Sequence, residues 1–165
     1  MKLAAPLLAV AATLVSGAAV QALPMAGAFQ GHVDNQSVTP LGGPGDMKID
    51  GVASGSNAGP GTPFDGAKVR WTDSATLKAG QGKSQGVITF ITPSGTTDSP
   101  YQGVVSTDAQ GRVTVRGKFQ TTRGTGDFAG LKGRGTFTAA YSSQTDFTGE
   151  WTGTFKTPRT QTSRR

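Results

Sequence analysis

Between Phe147 and Phe155 the chain sets Phe147, Gly149, Trp151, Gly153 and Phe155 at alternate positions, with Thr148, Glu150, Thr152 and Thr154 between them. A period of two places the rings and glycines on one face of a strand and the hydroxyls and the carboxylate on the other. Val113, Val115, Gly117 and Phe119 repeat the pattern against Thr114, Arg116, Lys118 and Gln120, and so do Gly135, Phe137, Ala139 and Tyr141. Interior glycines weaken a flat strand, yet they suit a curled sheet with a crowded inside. The pattern therefore predicts an all-β chain forming a single closed or nearly closed antiparallel barrel.

Runs of β-branched and aromatic residues between turn signals support this reading. They are Ala67 to Thr72, Ala75 to Lys78, Gly86 to Thr92, Tyr101 to Ser106, Arg112 to Gln120, Gly133 to Tyr141 and Phe147 to Lys156. Short strands at such spacing belong to sandwiches and barrels. From Phe29 to Gly61 the chain is rich in Gly, Pro, Asn, Asp and Ser and reads as irregular, with one short strand around Met47 to Ile49. The run Val87 to Ile91 is apolar on both faces, which predicts an outer surface around Ile88 and Phe90 where something covers the sheet or a second copy packs.

The first residues supply an address. Lys2 precedes an uncharged run from Leu3 to Val20, and Val20-Gln21-Ala22 has the small residues a signal peptidase needs, with Ala28 as a second cleavage point. The expected organisation is a signal peptide over 1–22, a flexible N-terminal segment over 23–44, a barrel domain over 45–157 and a disordered basic tail over 158–165. The product would be secreted or periplasmic. Loss of Lys2 from the 16 Lys and Arg lowers the formal charge from +6 to +5.

Composition excludes much chemistry. The chain has no Cys and one His, His32, so disulfide scaffolds, thiol catalysis, iron-sulfur clusters and polyhistidine metal sites are out. No cofactor motif is present. His32 and Asp34 have the makings of a base and its orienter, but the sequence places no nucleophile near them. Asp50, Asp65, Asp108, Asp127 and Asp146 sit beside Gly or at strand ends, where Asp serves turns. Glu150, the sole glutamate, points outward by alternation; a register slipped by one would turn it inward.

Arg116, Lys118 and Arg134 fall on the outer face of two strands expected to be neighbours, a basic patch open to an anionic envelope polymer. No exposed aromatic is interleaved with them, which argues against specific nucleic-acid binding. Trp71, Phe137, Tyr141, Trp151 and Phe155 either line a ligand cavity or fill the barrel.

The stretch from Gly124 to Gly133 carries Gly124, Gly126, Phe128, Gly130 and Gly133 between two alternating strands. It is no phosphate-binding loop, because Gly133 follows Lys132 where Ser or Thr is needed and a strand follows where a helix is needed. Gly124 to Tyr141 resembles the barrel superfamily of plant allene oxide cyclases, dirigent proteins and small secreted bacterial relatives. In that family the stretch turns the chain and tucks in an aromatic, here Phe128. The resemblance implies an eight-stranded barrel, commonly trimeric, with an apolar cavity for a small hydrophobic molecule. The cyclases' cysteine has no counterpart, and no catalytic residue carries over. Gly149-Glu150-Trp151 is also similar to the Gly-x-Trp of lipocalins and avidins, but theirs lies in the first strand and this one in the last.

The expectation is a non-catalytic exported barrel that binds a small apolar molecule or associates with the cell envelope. A cyclase- or isomerase-like enzyme and a homo-oligomeric structural protein that adheres to anionic polymers are the alternatives.

Overall fold

A computed structural model describes residues 21–157. Nine strands follow in chain order: β1 Leu23–Pro40, β2 Met47–Ala58, β3 Lys68–Lys78, β4 Gln81–Thr92, β5 Gly95–Thr107, β6 Val113–Thr121, β7 Arg123–Gly124, β8 Lys132–Tyr141 and β9 Asp146–Lys156. All pairings are antiparallel. Strands β1 to β6, β8 and β9 form a closed eight-stranded barrel in which each wall neighbours the next along the chain and β9 returns to β1; β7 pairs with β5 alone.

The ladder fixes the barrel's stagger. From Phe29 one circuit passes Gly149, Ala139, Val115, Val105, Gly82, Leu77 and Met47 and returns to β1 at Pro40, eleven positions on. One of those positions is absorbed by a bulge between Val33 and Asn35. Such a stagger tilts the strands and leaves an interior just wide enough to be filled by side chains or to hold one small ligand.

The alternation foreseen for β6, β8 and β9 is present, rings and glycines inward and hydroxyls and charges outward. The interior glycines make room for rings on neighbouring strands: a Cβ at Gly149 would run into the ring of Phe29, its partner across the ladder. The outer face, with Thr148, Thr152, Thr154, Arg116 and Lys118 exposed, is the inverse of the apolar band of a lipid-spanning barrel.

Two expectations are corrected. The segment 23–44, expected as a flexible arm ahead of the barrel, instead supplies β1, which pairs with β9 over Leu23 to His32 and with β2 over Ala28 to Pro40. Its glycines were the obstacle to reading it, and they are the reason it fits, since Gly27 and Gly31 lie under the rings of Trp151 and Phe147. Ile88 and Phe90, expected on the outer surface, point inward at 7% and 9% exposure; the outward positions of that run are Val87, Thr89 and Ile91. The proposed signal over 1–22 and the tail over 158–165 lie almost wholly or wholly outside the described residues.

Both barrel ends are closed by side chains. At one end the loop from Gly59 to Ala67 folds inward and buries Phe64 to 1% exposure, with its ring 5.1 Å from Phe90, 5.3 Å from Phe128 and 5.5 Å from Phe155. Asn57 ties the loop down: its Nδ2 donates to the Phe64 carbonyl at 2.7 Å, and its Oδ1 accepts from Trp151 Nε1 at 2.7 Å. Every polar atom of this buried amide thus has a use. At the other end Ala75, Leu77 and Val105 form a second cluster with Met47, Ile49 and Val113 against it.

Candidate functional site

Trp71, Phe137, Trp151 and Phe155 all face inward and are buried, and Tyr141 is half-buried beside them. They pack ring against ring. Trp71 lies 5.2 Å from Phe147 and 5.6 Å from Phe29, and Trp151 lies 6.0 Å from Phe155. The enclosed void that Trp71, Phe137 and Trp151 line with Phe29, Ile88 and Phe119 measures about 10 Å³. That is space for about one water-sized sphere, far below the ~300 Å³ at which small-molecule pockets begin.

Among the described residues one charged side chain faces inward. Asp73 on β3 accepts a hydrogen bond from the Tyr101 hydroxyl, which reaches it from β5 across Gly86 of β4. Burial raises the Asp73 carboxyl above its ordinary range against the lowering effect of that bond, and the nearby Asp50 adds to the rise. Tyr101 and Tyr141 are likewise pushed up, by burial first and by the Asp73 charge second. Among the described residues no cation lies within 4 Å of Asp73. The sequence reading broke the chain at Asp73-Ser74 as a turn; β3 runs straight through because Tyr101 satisfies the carboxylate.

His32 is joined by Asp146 and not by Asp34 as its carboxylate partner: Nδ1 stands 2.7 Å from Asp146 Oδ1, with both side chains more than half exposed. The bond from His32, and then that from Ser143, lowers the Asp146 carboxyl. Asp34, at the bulge, accepts from Ser54 Oγ at 2.8 Å, and Ser54 lies opposite His32 across the ladder. The group stands on the solvated outer face, where an ion pair contributes little. Asp108 and Asp50 serve locally, held low by bonds from Arg112 and Lys48 respectively.

The Gly124 to Gly133 stretch runs from the last residue of β7 through a single 3-10 turn, Gly126–Phe128, into the start of β8. Gly126 needs its positive φ of +57°, and a Cβ there would meet the Ser94 carbonyl. The turn drops Phe128 into the core, stacked on Phe64. Gly124, Gly130 and Gly133 complete the path into β8, and Leu131 is buried beside them.

On the outer face β6 and β8 are hydrogen-bonded neighbours, and Arg116, Lys118 and Arg134 are all exposed. Lys118 pairs with Thr136 and Gln120 with Arg134, so Lys118 and Arg134 are diagonal neighbours. Among the described residues none of the three lies within 4 Å of a carboxylate. Glu150 points outward as alternation required, in the same row as Arg116 with Thr138 between them. An open surface groove of about 1410 Å³ runs over β1, β3 to β6, β8 and β9, and Lys118 and Arg134 are among the residues that line it.

Phe64, Asn57 and Asp73 had escaped the sequence reading. For Phe64 a signal existed: a lone aromatic between Pro63 and Asp65, in a loop otherwise of small and polar residues, anchors that loop. No family model matches the chain, and no curated protein matches it either.

Proposed function

We propose that the protein is exported and, as a non-catalytic barrel, associates with an anionic polymer of the cell envelope through the outer face of β6 and β8. The observation that carries this reading is the pairing of a filled interior with three unpartnered cations, Arg116, Lys118 and Arg134, on one exposed face. Cleavage after Ala22 fits the same reading, because it leaves β1 whole from Leu23. A small apolar ligand, or a cyclase-like reaction at Asp73 and Tyr101, needs interior room, and the void of about 10 Å³ gives neither any support. Kinship with the allene oxide cyclase and dirigent barrels is part of the proposal at the level of ancestry; it rests on Gly124 to Tyr141 and on the barrel itself.

Retention on immobilised heparin across a salt series tests the charge. The chain from Leu23 to Arg165 is expected to bind at low salt. Arg116→Gln, Lys118→Gln and Arg134→Gln together should reduce the log-log salt slope by about 2–3, roughly one unit for each polymer charge no longer met. Passage of the wild type through the column at low salt, or unchanged retention of the triple variant, would sink the reading.

A further inference from the structure

One ladder row of the outer face carries Gln85, Gln102, Lys118, Thr136 and Thr152 on five successive walls, β4, β5, β6, β8 and β9. All five are outward positions, and all line the 1410 Å³ groove, with Arg134 beside them. Neighbouring members of such a row stand about 4.8 Å apart, so the row spans about 19 Å at right angles to the strands. That step is close to the length of one pyranose unit. Among the described residues the amides of Gln85 and Gln102, the Lys118 ammonium and the Arg134 guanidinium make no side-chain hydrogen bond. Thr136 and Thr152 reach only each other, at 3.4 Å. These are donors and acceptors held ready on a rigid wall.

The lining sorts ligand classes. Its single carboxylate, Asp73, turns its side chain inward to Tyr101, so the groove meets a polymer with two cations and no outward acid. The rings of Tyr101 and Phe119, whose backbone borders the groove, are buried inside the barrel and offer no face for bases to stack on. Two charges among neutral amides, hydroxyls and the apolar Pro24, Ala26, Val87 and Pro100 suit a chain that carries hydroxyls and C–H ring faces as well as anionic groups. A polymer without hydroxyls, such as polyphosphate, would leave the amides and hydroxyls of the row without hydroxyl partners.

We infer that the groove takes an acidic polysaccharide, a chain of pyranose units bearing carboxylates, laid across β4, β5, β6, β8 and β9. Lys118 and Arg134 receive its carboxylates, and Gln85, Gln102, Thr136 and Thr152 exchange hydrogen bonds with its ring hydroxyls. The inference rests on the anionic-polymer reading above and narrows it to one class.

Affinity electrophoresis through gels containing polygalacturonate, dextran or polyphosphate tests it, with the double variant Gln102→Ala and Thr136→Ala beside the wild type. Both substitutions are at exposed positions, and circular dichroism melts check that the fold is kept. Polygalacturonate is expected to retard the wild type and dextran not to. The double variant should lose about tenfold in affinity for polygalacturonate through its lost hydrogen bonds, with polyphosphate binding unchanged. Equal retardation by polygalacturonate and polyphosphate, both indifferent to the double variant, would overturn the inference and leave the charge reading standing. No retardation by either polyanion would overturn both.

Discussion

Phe64→Ala is expected to lower the unfolding free energy by about 3–5 kcal/mol, as truncation of a buried phenylalanine does when its site cannot collapse. The site cannot collapse because Phe64 touches the rings of Phe90 on β4, Phe128 in the 3-10 turn and Trp151 and Phe155 on β9, three separately fixed segments. Its carbonyl is also the acceptor for Asn57, whose other amide atom holds Trp151. Loss of the ring therefore loosens the plug, one indole and the turn that buries Phe128 together. A thermal melt should show a fall of roughly 10–20 °C, and Phe64→Leu, which keeps much of the volume, should fall far less. A melt within about 2 °C of wild type would mean that the loop from Gly59 to Ala67 is not part of the core.

A chain beginning at Phe29, the product of cleavage after Ala28, is expected not to fold cooperatively. It lacks Leu23 to Ala28, six of the ten residues through which β1 pairs with β9. The barrel seam would open over β9 from Glu150 to Phe155, leaving a free sheet edge. Each lost backbone bond contributes about 0.5–1.5 kcal/mol, so the sum is comparable with the ~5–15 kcal/mol that holds a domain of this size. The chain beginning at Leu23 keeps the whole seam. Denaturant unfolding of the two chains side by side checks this; a steep, single transition for the shorter chain would contradict the closed-barrel seam.

The strands legible in the sequence are those whose inward residues are large. In β6, β8 and β9 rings alternate with hydroxyls and charges, and the pattern gives both the strand and its faces. β1 is illegible by the same criterion, because Gly27, Ala28, Gly31 and Ser37 carry little side chain to alternate. What makes it a strand is pairing on both sides, with β2 and with β9, whose rings Trp151 and Phe147 need the space above its glycines, and that is a property of the assembled sheet. β3 was split for a related reason: Asp73 signals a turn locally, and only the distant Tyr101 makes it acceptable inside. Ile88 and Phe90 were misplaced because a run apolar at every position does not declare its inner face.

The outward placement of Arg116, Lys118 and Arg134 was legible, since outward positions follow from alternation alone. The polar row that flanks it was not. Gln85, Gln102, Lys118, Thr136 and Thr152 are far apart along the chain and meet only through ladder register. Whether the barrel is hollow was also beyond the sequence, because Phe64 and Phe128 enter from loops.

The central claim is that the interior is filled and that the protein acts through its outer wall. Native mass spectrometry of the protein, purified from its own host without detergent, tests it most directly. The expected result is the mass of the polypeptide from Leu23 to Arg165 with no small molecule retained in each subunit. A stoichiometric apolar adduct that survives transfer and is shed only on unfolding would contradict it, because such a molecule has no place among the rings of Phe29, Trp71, Phe137 and Trp151 as they now pack.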